Sequence, residues 1–231
     1  MRHEPCAVMF DLDDTLYPRQ RFLLSGFGAV ARYLDRHWGI EPRRAFAALA
    51  GAFRTARGRE LQVVVRRFDL PPWLVPQLVD VIREHEPRLR LPRASARVLE
   101  QLREEWRIGI VTNGPPEIQG RKVEALGLAP LVDTVVYAHA TGRGLGKPDR
   151  APFVEAARRL GVCLTRAVFV GDDPVNDIAG AQRVGMHAIR IVRPGLQAWE
   201  AAGTADAVVE SMDEVPAAAI GLVDLRRAYV V

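Results

Sequence analysis

The stretch Ala7-Val8-Met9-Phe10-Asp11-Leu12-Asp13-Asp14-Thr15 runs from an unbroken apolar segment straight into carboxylates. An apolar run of this length bounded by polar residues reads as a buried parallel strand. Asp11 and Asp13 are two residues apart, so in extended backbone both point to one side, and Thr15 follows on that side. Ligands of open α/β sheets bind outside the carboxyl ends of the strands. Two like charges at such a place are costly unless a cation or a proton offsets them. The simplest chemistry that uses them is a divalent metal, a phosphate and a carboxylate acting as nucleophile.

Further apolar runs at Ile108–Val111, Val135–Tyr137, Ala167–Val170 and Ala188–Val192 read as companion strands, with Ala207–Val209 as a possible edge. Helical patterns at Gln119–Leu126, Pro152–Leu160 and Val175–Val184 lie between the later ones. This alternation predicts an α/β fold with a doubly wound parallel sheet. From Ser211 onward a helix and a loosely held end are expected.

The segment 17–91 breaks the alternation. Arg21–Trp38, Arg43–Ala56, Arg59–Phe68 and Trp73–Glu86 read as amphipathic helices separated by Gly39, Gly58 and Pro71-Pro72. It holds 14 arginines against 7 acidic residues, a balance of +7 where the whole chain carries +4. The expected organisation is an α/β core from 1–16 and 92–231 with a helical cap at 17–91. Its charge suits a lid over an anionic substrate, and equally an arginine-rich solvated bundle. Arg19, Gln20, Arg21 and Phe22 are its first candidates for substrate contact.

Composition narrows the remainder. The chain has 231 residues, 48% hydrophobic and 26% charged, enough for one large or two small domains. No apolar run approaches the roughly 20 residues that span a bilayer. Met1-Arg2-His3-Glu4-Pro5 carries no apolar signal segment, so a cytoplasmic protein is expected, with no membrane partner. Cys6 and Cys163 are too few for a disulfide framework or a zinc site and are expected to be buried thiols. Of 32 basic residues only Lys122 and Lys147 are lysine. So strong an arginine bias is read as background composition, with no nucleic-acid partner, and it makes a retained lysine more informative. His37, His85 and His187 read as surface or partly packed, and the tryptophans Trp38, Trp73, Trp106 and Trp199 as packing groups.

Three other strand ends repeat the pattern of the first. Val111-Thr112-Asn113-Gly114 precedes Pro115-Pro116, placing Thr112, Asn113 and their N–H groups before a helix N-terminus, a natural anion site. In Thr141-Gly142-Arg143-Gly144-Leu145-Gly146-Lys147-Pro148, Lys147 reads as a clamp on phosphate and carboxylate, just before a proline able to start a helix. His139 and Arg143 are secondary candidates. In Gly171-Asp172-Asp173-Pro174-Val175-Asn176-Asp177, Asp172 reads as a second metal carboxylate and Asp173 as a helix N-cap. Asp177, one turn in, is placed to support Lys147 or a metal-bound water.

Together these four segments resemble the ordered motifs of the haloacid dehalogenase superfamily, specifically its phosphatases with a helical cap between the first and second motifs. Thr112-Asn113-Gly114 and Gln119–Leu128 are similar to nucleotidases and sugar-phosphate phosphatases of that group. Such relatives often carry an acidic residue shortly before the lysine, where this chain has Ala138-His139-Ala140-Thr141. The resemblance implies a magnesium-dependent hydrolase of small phosphorylated metabolites. Asp11 would be the nucleophile and Asp13 the general acid and base. Magnesium would be held by Asp11, the Asp13 carbonyl and Asp172, with Asp177 supporting. Leu12, Thr15, Thr112, Asn113 and Lys147 would bind substrate or phosphate, partly through main-chain N–H groups near Leu12 and Asn113. A phosphomutase shares these parts. A haloacid dehalogenase would leave Asp13 and Asp172 unexplained, and a phospho-accepting receiver would place its acceptor on a middle strand.

Overall fold

The computed structural model describes residues 6–192 and 205–229, with side chains to 224. Met1–Pro5, Trp199 and the last two residues, on which some of the expectations above fall, lie outside the described residues. The chain divides into two compact units: Met1–Pro18 with Arg90–Val231, and Arg19–Leu89.

The first unit is built on six parallel strands: β1 (Ala7–Phe10), β2 (Arg107–Thr112), β3 (Thr134–Tyr137), β4 (Ala167–Gly171), β5 (His187–Ile191) and β6 (Ala207–Val209). Their order across the sheet is β3-β2-β1-β4-β5-β6. The chain winds outward in one direction from β1 and in the other from β4, so the topological switch falls between these two strands. β1 is fully buried, as its unbroken apolar run requires. Ala7 and Met9, two apart, join Phe153, Phe169 and Ile178 in one core cluster. The Phe153 and Phe169 rings meet edge-on at 5.0 Å between centroids. Around the sheet lie α5 (Arg93–Leu102), α6 (Pro116–Ala125), α7 (Arg150–Leu160), α8 (Gly180–Arg183) and α9 (Val215–Tyr229).

Several elements differ from their sequence reading for local reasons. Helix α5 has no counterpart among the expected helices, although Ser95, Val98, Leu99 and Leu102 follow helical spacing and are buried along one stripe. Helix α6 begins at Pro116, three residues before the expected Gln119, because proline suits the first turn. Helix α7 begins at Arg150, capped by the Asp149 carboxylate accepting from the Ala151 N–H, so Pro148 does not start it. The expected helix at Val175–Val184 is split: a wide π-turn, Pro174–Ala179, precedes the short α8.

The second unit contains α1 (Gln20–Trp38), α2 (Pro42–Thr55), α3 (Glu60–Arg67) and α4 (Leu74–Glu84). Gly39 ends α1 in the left-handed region at φ 65°, and Glu41 caps α2 by accepting from the Arg43 and Arg44 N–H groups. Phe27, Val30, Leu34, Leu49, Val64 and Leu78 form its core. Among the described residues no helix is long and apolar enough to cross a membrane.

Some side-chain expectations are corrected. Cys163 is exposed and Cys6 half-buried, because the turn Leu164–Arg166 after Cys163 runs over the surface and Cys6 lies just outside β1. His85 and His187 are buried, at 8% and 9% exposure, one packed beside Phe22 and the other inside β5. Trp73 is 60% exposed, with its ring beside Trp38 at 6.2 Å, so neither is a core group.

Candidate active site

Every strand end that the motifs occupy opens at the carboxyl edge of the sheet. Asp11 follows β1 and Asp172 follows β4, so the two flank the switch point. The Asp11 N–H still donates to Val170 O at 2.9 Å, which extends the β1–β4 pairing to the residue that carries the carboxylate. Beyond it the chain turns sharply. Leu16 N–H donates to Leu12 O, Asp14 N–H donates to Tyr17 O, and Asp14 takes up a left-handed φ of 62°. That turn buries Leu12, Thr15 and Tyr17 completely.

Lys147 ties three segments together. Its Nζ donates to Asp11 Oδ1 and to Asp177 Oδ1, both at 2.6 Å, and the residue is 3% exposed. An ammonium has three donors, so two such bonds leave one. Its main chain is held as firmly. The Lys147 N–H donates to Asn113 Oδ1 at 2.7 Å, and Asn113 Nδ2 donates back to Lys147 O at 2.9 Å. Asn113 thus spends its side chain on positioning Lys147. Gly146, at φ 72°, makes the approach feasible: a Cβ there would meet the His139 ring at 2.4 Å and Asn113 Oδ1 at 2.8 Å. His139 is exposed and packs against this glycine; Arg143 is exposed.

The π-turn places Asp177. Asp173 accepts from Val175 and Asn176 N–H groups, the expected cap, and both Asp177 and Ile178 N–H groups donate to Asp173 O. The Asp173 N–H in turn donates to Asp177 Oδ2 at 3.1 Å. Thr15 Oγ1 reaches Asp172 Oδ1 at 3.4 Å.

Carboxylate oxygens of Asp11, Asp172 and Asp177 lie within 4.8 Å of one another. Burial, with Asp177 and Asp172 nearby, pushes Asp11 up to about 8 despite Lys147; burial with Asp177 and Asp14 pushes Asp172 up to about 7. Three hard carboxylate oxygens this close together fit a divalent cation such as magnesium, whose charge would offset theirs. Lys147 is shifted upward: burial opposes its charge, but Asp11 and Asp177 outweigh it.

Asp13 faces a different environment. Tyr17 Oη donates to its Oδ1 at 2.6 Å, Gln119 Nε2 to its Oδ2 at 3.0 Å, and Lys122 Nζ to both oxygens at 2.8 and 2.7 Å. Burial alone would raise its pKa; Lys122 and these donors overcome it and hold the carboxyl below its usual range. Its side chain therefore stands apart from the metal-type cluster. Gln119 Nε2 also donates to Thr112 Oγ1 at the end of β2. Neither Gln119 nor Lys122 is among the site residues expected from the sequence, although Gln119–Leu128 carries part of the resemblance. The signal was present, because the scarcity of lysine that marks Lys147 marks Lys122 equally.

Similarity to known proteins converges on the same architecture. The chain is 33% identical over 207 residues to glyceraldehyde 3-phosphate phosphatase of Methanopyrus kandleri, covering 84% of this chain and 87% of that protein. It is 31% identical over 172 residues to phosphoserine phosphatase of Thermus thermophilus, covering 74% and 67%. The crystal structure of 2-haloacid dehalogenase from Pseudomonas syringae superposes with a TM-score of 0.64 at 28% identity, covering 94% of this chain and 99% of that one. Residues 7–185 match the haloacid dehalogenase-like hydrolase family, a span that holds every motif-bearing strand end described above, and the chain is a hydrolase belonging to that family.

Proposed function

We propose that the protein is a magnesium-dependent phosphomonoesterase of small phosphorylated metabolites, working through an aspartyl-phosphate on Asp11. The observation that carries this reading is the opposite treatment of two neighbouring carboxylates. Asp11 sits against Lys147 in a cluster suited to a cation, while Asp13 is held apart by three donors. The two carboxylates are thus placed for different tasks, Asp11 beside a cation site and an ammonium, Asp13 among proton-bearing donors. A dehalogenase, the activity named for one structural neighbour, has no use for Asp13 or Asp172; phosphatase relatives at 33% and 31% identity favour phosphate ester cleavage.

In this mechanism an Asp11 oxygen attacks phosphorus as the bond to the leaving oxygen breaks, and that oxygen takes a proton from Asp13. Water then attacks the phosphorus of the acyl phosphate and returns a proton to Asp13, releasing inorganic phosphate and restoring Asp11. Held ionised in the resting protein, Asp13 is ready for this second half; a phosphate dianion beside it would raise its proton affinity for the first. The remaining donor of Lys147, the Thr112 hydroxyl and main-chain N–H groups near Leu12 and Asn113 bind the equatorial oxygens. Thr15 braces Asp172, and Asp177 holds Lys147. Asp11, the Asp13 carbonyl and Asp172 would hold magnesium, which when bound screens these carboxylates from the incoming phosphate. The arginine-rich helical unit supplies positive charge suited to selecting anionic substrates.

The test is release of inorganic phosphate across a panel of sugar, triose, amino-acid and nucleoside phosphates, with magnesium and with chelator. Magnesium-dependent release from at least one, abolished in a folded Asp11→Asn variant, is expected. Near-native rates in that variant would remove the nucleophile. Isomerised sugar phosphate without phosphate release would make the enzyme a mutase.

A further inference from the structure

The chain places its only two lysines on carboxylates two residues apart in sequence: Lys147 on Asp11 and Lys122 on Asp13. The mechanism above uses the first and leaves the second, with Gln119, without a part. Both residues are buried, Gln119 at 2% and Lys122 at 5% exposure. They stand three apart on α6, hence on one face of the helix. A buried ammonium and a buried amide are costly to keep unless they are bonded, so their partners are informative.

Those partners are the two groups that the chemistry needs oriented. Lys122 grips both oxygens of Asp13, which sets the plane of the carboxylate. Gln119 Nε2 has two hydrogens, and the structure directs one to Asp13 Oδ2 and one to Thr112 Oγ1. A threonine hydroxyl that accepts from an amide keeps its own proton free to donate elsewhere. The contact therefore orients Thr112 as a donor. Gly114 belongs to the same device: at φ 126° it turns the chain, and a Cβ there would lie 3.2 Å from the Gln119 side chain.

Resting on the phosphomonoesterase reading, we infer that Gln119 and Lys122 are positioning residues: Lys122 aims Asp13 at the leaving oxygen, and Gln119 couples that aim to the Thr112 donor on the phosphate. The two halves have different kinetic signatures. A p-nitrophenolate leaves without needing a proton, whereas an alkoxide needs one as the bond to phosphorus breaks. kcat/KM reports that bond-breaking step even if hydrolysis of the acyl phosphate limits kcat. Loss of aim at Asp13 should therefore fall on alkyl substrates.

The experiment compares kcat/KM for p-nitrophenyl phosphate and for glycerol 3-phosphate, plus inhibition by inorganic phosphate, in wild type, Lys122→Met, Lys122→Arg and Gln119→Leu. Lys122→Met is expected to lose about 10²-fold or more on the alkyl ester and under tenfold on the aryl ester. Its phosphate inhibition should be unchanged, and Lys122→Arg should recover part of the alkyl activity. Gln119→Leu is expected to show the same leaving-group bias and also a several-fold weaker phosphate inhibition. Equal losses on both esters, or none, overturn the role of Lys122. Unaltered phosphate inhibition in Gln119→Leu overturns the Thr112 coupling. Should Lys122→Met fail to fold, Gln119→Leu and Lys122→Arg carry the same leaving-group comparison. A wild type that hydrolyses neither these esters nor any phosphate of the panel above condemns the underlying phosphomonoesterase reading, an outcome separate from equal losses in the variants.

Discussion

Asp11 and Asp13 share a strand end and a chemical type, and their surroundings make them different groups. Asp11 is crowded by Asp172 and Asp177 and tempered by one ammonium. Asp13 has no carboxylate among its bonded partners and accepts from Lys122, Gln119 and Tyr17. Asparagine at position 13 keeps the size and the main-chain carbonyl while removing the ability to hold and release a proton. Asp13→Asn should therefore slow turnover of alkyl phosphates by roughly 10² to 10⁴, with magnesium affinity, followed by calorimetric titration, close to wild type. A variant that loses the metal instead would make Asp13 a ligand in substance. Asn113 illustrates the limit of reading residues singly: a side chain expected beside phosphate spends both polar atoms on the Lys147 backbone.

At the level of elements, the junction of β4 with the π-turn decides where Asp177 stands. Gly171 ends β4, and a Cβ at that residue would fall 2.4 Å from the Asp177 Cβ and Oδ2. No side chain can stand there without moving Asp177, which would carry one of the two Lys147 partners with it. Gly171→Ala should cost about 1–3 kcal/mol from overpacking, read as a melting-temperature loss of roughly 2–4 °C per kcal/mol for a chain of this size. Activity should fall more than tenfold, because Lys147 would keep Asp11 as its sole carboxylate. Alanine tolerated with native melting and native rate would show that Asp177 does not hold the lysine in place. Asp173 and Pro174 were readable as a helix start, since capping and the proline φ are local. The widened turn was not, because the bond it allows Asp177 to make with Lys147 joins residues 30 positions apart in the chain.

Over the whole molecule, the carboxylate cluster makes stability depend on pH and on cation together. Asp172 is pushed up to about 7, against an ordinary value near 4. Between those values the folded metal-free chain binds more protons than the unfolded one, so this stabilising contribution is complete below about pH 4 and is lost as pH rises through about 7. Asp172→Asn removes the charge that incurs the penalty. Without metal, its melting temperature relative to wild type should be higher at pH 8 than at pH 5, by about a few degrees. Magnesium should raise wild-type melting more at pH 8 than at pH 5, where protons compete, and should do little for the variant. A wild-type-minus-variant difference that is flat with pH would mean that Asp172 is not under strain from its neighbours.

Local chemistry was legible in the linear chain. Unbroken apolar runs marked the strands, glycine and proline bounded the helices of Arg19–Leu89 to within a few residues, and acidic residues at strand ends located the reacting edge. These signals are carried by neighbours in sequence, so the backbone alone delivers them. What only the tertiary structure decided was partnership. Lys122 meets Asp13 across 109 positions of chain and Lys147 meets Asp11 across 136. Which carboxylate is held ionised and which is left crowded depends on those meetings. They arise from packing α6 and the loop before α7 against the open edge of the sheet, and no period or spacing in the sequence encodes that distance.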